Sequence, residues 1–129
     1  MILRSAAPSP FVRKIRIAAG VLGLDGDIKI EPADTVDPAD SVRQQNPLGK
    51  IPVLILEDGT TLYDSPVILE YLDHRAGGGR IIPTAPAARF AALRQQALSR
   101  GAGFRGILVG EERDVRPYEL DRVSTLPPM

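Results

Sequence analysis

Cysteine is absent from the 129 residues. That excludes a disulfide framework, a cysteine nucleophile and a thiolate metal cluster. A single histidine, His74, cannot build the usual multi-histidine metal site, so no metal is expected. Net charge is also missing. Sixteen Lys and Arg balance sixteen Asp and Glu, which gives no global attraction to nucleic acid or to an anionic membrane. No apolar run approaches the roughly 18 residues that a spanning helix needs. The start, Met1-Ile2-Leu3-Arg4, lacks the long apolar core of a signal peptide. These absences point to a cytoplasmic protein with neither nucleic-acid nor membrane partners.

What is present is a 43% hydrophobic fraction, scattered as in a globular core, and room for one domain with an appendage. Residues 1–4 read as a first strand. After an interruption at residues 6–10, Phe11, Val12, Ile15, Ala18, Ala19 and Leu22 recur at helical spacing. Gly23 and Gly26 mark the end of that helix. Residues 27–31 alternate as a strand, and residues 39–45 form a short helix inside a polar stretch. Residues 51–56 are too short for anything but a buried strand. Asp58-Gly59 supplies a hairpin turn, and residues 61–63 return. A helix over about 66–76 buries Val67, Ile68, Tyr71 and Leu72. The order is βαβ, an irregular segment, then ββα, an α/β fold with a mixed four-stranded sheet. Residues 81–86 read as a linker. Residues 87–100 are helical, with Phe90, Leu93, Ala97 and Leu98 on one side. Gly101, Gly103, Gly106 and Gly110 then puncture the pattern. The charged run 111–120 keeps a helical character, and residues 123–129 read as a disordered tail.

Three short motifs carry chemistry. Ser9-Pro10 places a hydroxyl at a helix N-cap and proline at the first helical position. By itself this is an ordinary cap, although a helix N-terminus also favours an anion such as a thiolate. Ile51-Pro52-Val53 puts proline, which cannot donate to a ladder, at the start of a strand. Either the strand lies at an edge or junction, or a cis peptide turns the backbone of Val53 towards a cleft, where an extended ligand can pair with it. Asp64-Ser65-Pro66 opens a second helix. It reads as a cap or as a carboxylate site, with Asp64 available to an ammonium group. The Gly101-Ala102-Gly103-Phe104-Arg105-Gly106 sequence lacks the strand before it that a dinucleotide site requires. His74 is a surface or C-terminal capping residue. Arg13, Lys14 and Arg16 form a solvated helix face.

Taken in order, the motifs acquire a collective meaning. They are Ser9-Pro10-Phe11-Val12-Arg13-Lys14, then Asn46-Pro47-Leu48-Gly49-Lys50-Ile51-Pro52-Val53-Leu54, then Leu62-Tyr63-Asp64-Ser65-Pro66-Val67-Ile68. Over residues 1–100 the chain resembles the N-terminal, thioredoxin-like domain of cytosolic glutathione S-transferases, in their bacterial, serine-type branch. The resemblance implies a thioredoxin-like glutathione-binding domain over 1–80, a linker at 81–86, and over 87–129 an incomplete all-helical segment, the truncated start of a helical domain. It implies that Ser9 activates the thiol of glutathione, the co-substrate. Val53 after Pro52 would pair with its cysteinyl part, Ser65 would bind the γ-glutamyl carboxylate, Asp64 would sit by the amine, and Lys50 would approach the glycyl carboxylate. A small electrophile and a homodimer complete the implied partners. The implied activity is conjugation. The alternative is a catalytically incompetent glutathione-binding or partner-binding module. The short region after residue 80 is what favours that alternative, and it suggests truncation or a frame change.

Overall fold

The computed structural model of the chain describes residues 1–6 and 9–110. Strand β1 (Ile2–Ser5) leads to helix α1 (Pro10–Val21), which returns the chain to β2 (Lys29–Pro32), parallel to β1. A short helix, α2 (Val42–Gln45), interrupts the polar stretch. Strand β3 (Val53–Ile55) runs antiparallel to β1, and β4 (Thr61–Leu62) closes a hairpin with it. Helix α3 (Ser65–Arg75) follows, then α4 (Pro86–Gly110). The sheet order is β2-β1-β3-β4. This is the mixed four-stranded sheet that the alternation of elements implies, in the thioredoxin-like arrangement that the resemblance implies.

The core forms where the apolar stripe of α1 and that of α3 meet one face of the sheet. Val12, Ile15, Ala18, Ala19 and Leu22 of the first stripe pack with Ile68, Leu69 and Leu72 of the second, over Leu3 and Leu54. Two expectations need correction here. Val67 is 47% exposed, and Leu69 takes the buried position instead. Burial at 65, 68, 69, 72 and 73 follows the i, i+3, i+4 rule from Ser65, which turns residue 67 outwards. The glycines after residue 100 do not end the last helix, because α4 continues to Gly110. Each glycine weakens a helix relative to alanine by about 1 kcal/mol, but keeps its backbone donor and acceptor, so the ladder is not broken. The expected charged helix at 111–120 and the disordered tail at 123–129 lie outside the described residues, as does the middle of the 6–10 interruption.

Two polar groups tie the loops to this core. Arg4, 3% exposed on β1, donates to Ser41 Oγ, Gln45 Oε1, the Pro32 carbonyl and Asp40 Oδ1 at 2.8–3.0 Å. It thereby fastens the irregular stretch beneath the sheet. Asp73, buried near the end of α3, accepts from the backbone N–H groups of Arg80, Ile81 and Ile82 at 2.9, 3.1 and 3.1 Å. This fixes the route of the chain from α3 to α4. Burial alone would raise its pKa, but these donors, with Gly79, outweigh that and hold the carboxyl below its ordinary value. No helix among the described residues is long and apolar enough to cross a membrane.

Candidate functional site

The segment 46–52 is built to deliver its last residues to one place. Asn46 is almost fully buried. Its Nδ2 donates to the Lys50 carbonyl at 3.1 Å, and its Oδ1 accepts from Leu48 N–H at 3.0 Å. Gly49 turns the loop at φ 64°, a conformation that calls for glycine. The Ile51–Pro52 peptide is cis, and β3 begins at the next residue. Because β3 lies between β1 and β4, the proline enters a central strand and not an edge. The β3–β4 ladder stops at Leu54 opposite Leu62. It therefore leaves no strand residue opposite Val53 on that side.

Beside this loop lies a cleft of about 710 Å³, lined on one wall by Asn46, Lys50, Pro52, Tyr63 and Asp64. The opposite wall is formed by Phe11 of α1 and by Leu93, Gln96, Ala97 and Arg100 of α4. The first turns of α1 and α3 thus open on the same space, through Phe11 and Pro66 respectively. Helix N-termini present unpaired N–H groups and partial positive charge, so the cleft suits anionic groups.

Ser9 is the N-cap of α1, and its Oγ accepts from Val12 N–H at 3.3 Å. The cap uses the oxygen as an acceptor, so the hydroxyl hydrogen remains available to a second group. Asp64 caps α3 by accepting from Ser65 N–H at 2.6 Å. Its other carboxylate oxygen forms an ion pair with Arg100 of α4. Ser65 is fully buried, and its Oγ has no hydrogen-bond partner.

The residues expected at a site are therefore not all placed alike. Lys50, Pro52 and Asp64 line the cleft together. Ser9 stands at the cap two residues before Phe11. Val53 and Ser65 are fully buried, follow Pro52 and Asp64 directly in the chain, and do not line the cleft. Two contributors were given no role from the sequence, Asn46, although it stands in the second motif, and Arg100. Asn46 shapes the loop, and its signal was a single asparagine before proline. Arg100 reaches Asp64 from 36 positions further along the chain, and no local pattern marks it. Lys14 also departs from expectation. Arg13 and Arg16 are solvent-exposed, but the Lys14 Nζ is shielded from water. His74 is exposed in the last turn of α3. A second cavity, about 500 Å³, lies along α1 against Ile28 and Ile30; Val12, Arg13 and Arg16 line it, but Ser9, Lys50, Pro52, Val53, Asp64 and Ser65 do not.

Comparison with known proteins agrees with this geometry. Residues 8–75 match the family described as "Glutathione S-transferase, N-terminal domain". The uncharacterized GST-like protein YibF of Escherichia coli (strain K12) is 34% identical over 117 residues, covering 91% of this chain and 56% of that protein. A glutathione S-transferase from Methylobacillus flagellatus KT, solved with glutathione bound, superposes with a TM-score of 0.82 at 37% identity, over 95% of this chain and 62% of the other. A glutathione transferase family member from Pseudomonas fluorescens Pf-5, also with bound glutathione, gives 0.82 at 33% identity, over 95% and 64%. The chain thus spans between half and two thirds of the length of these relatives.

Proposed function

The chain belongs to the glutathione S-transferase family, and on that premise we propose that it binds glutathione in the cleft between the 46–52 loop and α4. The observation that carries this reading is the meeting of two capped helix N-termini beside a cis-proline strand entry. Such a site offers charge and hydrogen bonds to a peptide that bears a thiol and two carboxylates. The bound glutathione in the solved relatives from Methylobacillus and Pseudomonas supports it.

In this reading the peptide lies extended along β3. The backbone of Val53, next to Pro52 and without a strand residue opposite, pairs with the cysteinyl unit. The unpartnered Ser65 hydroxyl and the α3 N-terminus take the γ-glutamyl carboxylate. Asp64 exchanges Arg100 for the ligand's ammonium group, and Lys50 approaches the glycyl carboxylate. Ser9 donates its free hydrogen to the sulfur. Together with the α1 N-terminus this lowers the thiol pKa and raises the thiolate fraction near neutral pH. The thiolate then attacks an electrophile held against Phe11 and α4. No resident metal takes part. Residues 1–80 form the glutathione-side unit, residues 81–86 the linker, and residues 87–129 the beginning of a helical acceptor-side domain. We place the protein in the cytoplasm as a homodimer, with the 68% exposed Phe90 on α4 available to a partner surface.

The test is a calorimetric titration with glutathione, followed by conjugation of a generic aryl halide by the wild type and Ser9→Ala. We expect binding to survive the substitution and turnover to fall about a hundredfold, the scale of losing one preorganised donor. Binding without turnover in the wild type would leave the second reading, a glutathione-binding module. That reading is favoured by an acceptor wall that, among the described residues, consists of α1 and α4 alone. Absence of binding would sink both.

A further inference from the structure

The seam between α1 and α4 holds two donors shielded from solvent and without hydrogen-bond partners: Lys14 Nζ and Gln96 Nε2. A buried polar group left unpaired forfeits its hydration with no return, and a buried cation forfeits more. Lys14 lies five residues beyond Ser9, about 7.5 Å further along the α1 axis. Helical side chains lean towards the N-terminus, and the Nζ lies 6.0 Å from the centre of the Phe11 ring. It thus lies just behind the ring of Phe11, which lines the cleft. Across the seam, Leu93, Gln96, Ala97 and Arg100 fall at i, i+3, i+4 and i+7, one stripe of α4 that lines the same cleft. In the ligand-free chain Arg100 has Asp64 as its partner, whereas Lys14 and Gln96 have none. Burial first, and the nearby Arg100 charge second, push the Lys14 pKa below its ordinary value. No acceptor reaches the Lys14 Nζ, and the carboxylate of the cleft, Asp64, is engaged by Arg100.

We propose that Lys14 and Gln96 form a subsite for a carboxylate carried by the electrophilic acceptor, which makes anionic electrophiles the preferred substrate class. The proposal rests on the glutathione reading and deepens it. With the carboxylate held at the seam, the electrophilic carbon lies towards Ser9, where the sulfur is activated. For an α,β-unsaturated acid, the thiolate forms a sulfur–carbon bond at the β carbon. The displaced π pair moves to the α carbon and takes a proton from water, with no leaving group and no change at the carboxylate. Lys14 and Gln96 bind and orient. They are not the proton donors.

Two S-conjugates of equal size test this by calorimetry on the full chain: S-(2-carboxyethyl)glutathione and its neutral isostere S-(2-carbamoylethyl)glutathione. Both carry the same glutathione, so its own carboxylates cancel in the ratio of affinities. We expect the acid to bind about tenfold tighter, the scale of a charged hydrogen bond. The ratio should fall to within about twofold in Lys14→Met and shrink in Gln96→Leu. In Gln96→Glu it should invert, because the new carboxylate occupies Lys14. Should Lys14→Met fail to fold by circular dichroism, Lys14→Gln and Gln96→Leu read the same ratio. Equal affinities in the wild type, or a preference that persists in both the Lys14 and Gln96 variants, would overturn the subsite while leaving glutathione binding intact. Failure of glutathione and of both conjugates to bind would overturn the underlying reading instead, and the subsite with it.

Discussion

Arg4 and Lys14 are two cations held in two regions of one small fold, both with atoms withdrawn from water, and their surroundings are opposite. Beneath the sheet, Arg4 meets a carboxylate, a hydroxyl, an amide oxygen and a backbone carbonyl. At the α1–α4 seam, Lys14 meets an aromatic ring at the limit of useful cation–π distance and no acceptor. Arg4, whose two terminal nitrogens meet four acceptors although its Nε meets none, belongs to the architecture. It fixes a loop that has little apolar surface of its own. An unsatisfied cation beside a cleft is costly to the free protein and becomes favourable only when an acceptor arrives. The contrast separates groups that hold the fold from groups available to a ligand.

The contrast can be broken most directly at Arg4. Arg4→Met should cost about 3 kcal/mol in chemical denaturation, since it removes the one donor group that four acceptors share and leaves Asp40 only its backbone donors, Asp34 and Val42. A loss below about 0.5 kcal/mol would mean that the network contributes no more than a surface pair. The next effect should come from Asp73, which holds the exit from α3. Asp73→Asn should cost about 2 kcal/mol at neutral pH by weakening three charge-assisted bonds. The pH dependence has a fixed sign. The folded-state pKa lies below the ordinary 3.8, so the wild-type advantage is complete above that value and shrinks as pH falls through the folded pKa. Melts of the two proteins between pH 6 and pH 2 would show it, and a gap that widens in acid would contradict it.

The smallest effect has the opposite sign. Without ligand, Lys14→Met should be neutral or stabilising by roughly 0.5 kcal/mol, because an unpartnered ammonium is replaced by an apolar side chain. The folded-state pKa of Lys14 is lowered from 10.5. The unfolded chain therefore binds more protons in the window just below 10.5, and wild-type stability rises with pH there. Any advantage of the methionine variant should shrink over the same window. A clear destabilisation at neutral pH would show that Lys14 is a structural cation like Arg4, and the contrast would collapse.

Much of the fold was legible because its signals are local. Ser9-Pro10 and Asp64-Ser65-Pro66 start the helices where they are read, since a cap depends on residues within one turn. The helical stripe from Val12 to Leu22 and the hairpin around Asp58-Gly59 are likewise set by near neighbours. The departures came where neighbours compete. Val67 yielded to Leu69 because the face of α3 is chosen by what it packs against. The glycines after residue 100 weaken a helix without ending one.

The sequence by itself determined the order of elements, the helix starts and the family resemblance, since each is written in residues a few positions apart. Only the tertiary structure decided that Arg100 reaches Asp64, that Arg4 gathers acceptors from four points along the chain, and that Lys14 turns inwards while Arg13 and Arg16 face water. The physical reason is that the cost of a buried charge is set by which groups surround it in space. Those groups come from elements that are distant in sequence and meet only when the sheet and its helices have packed.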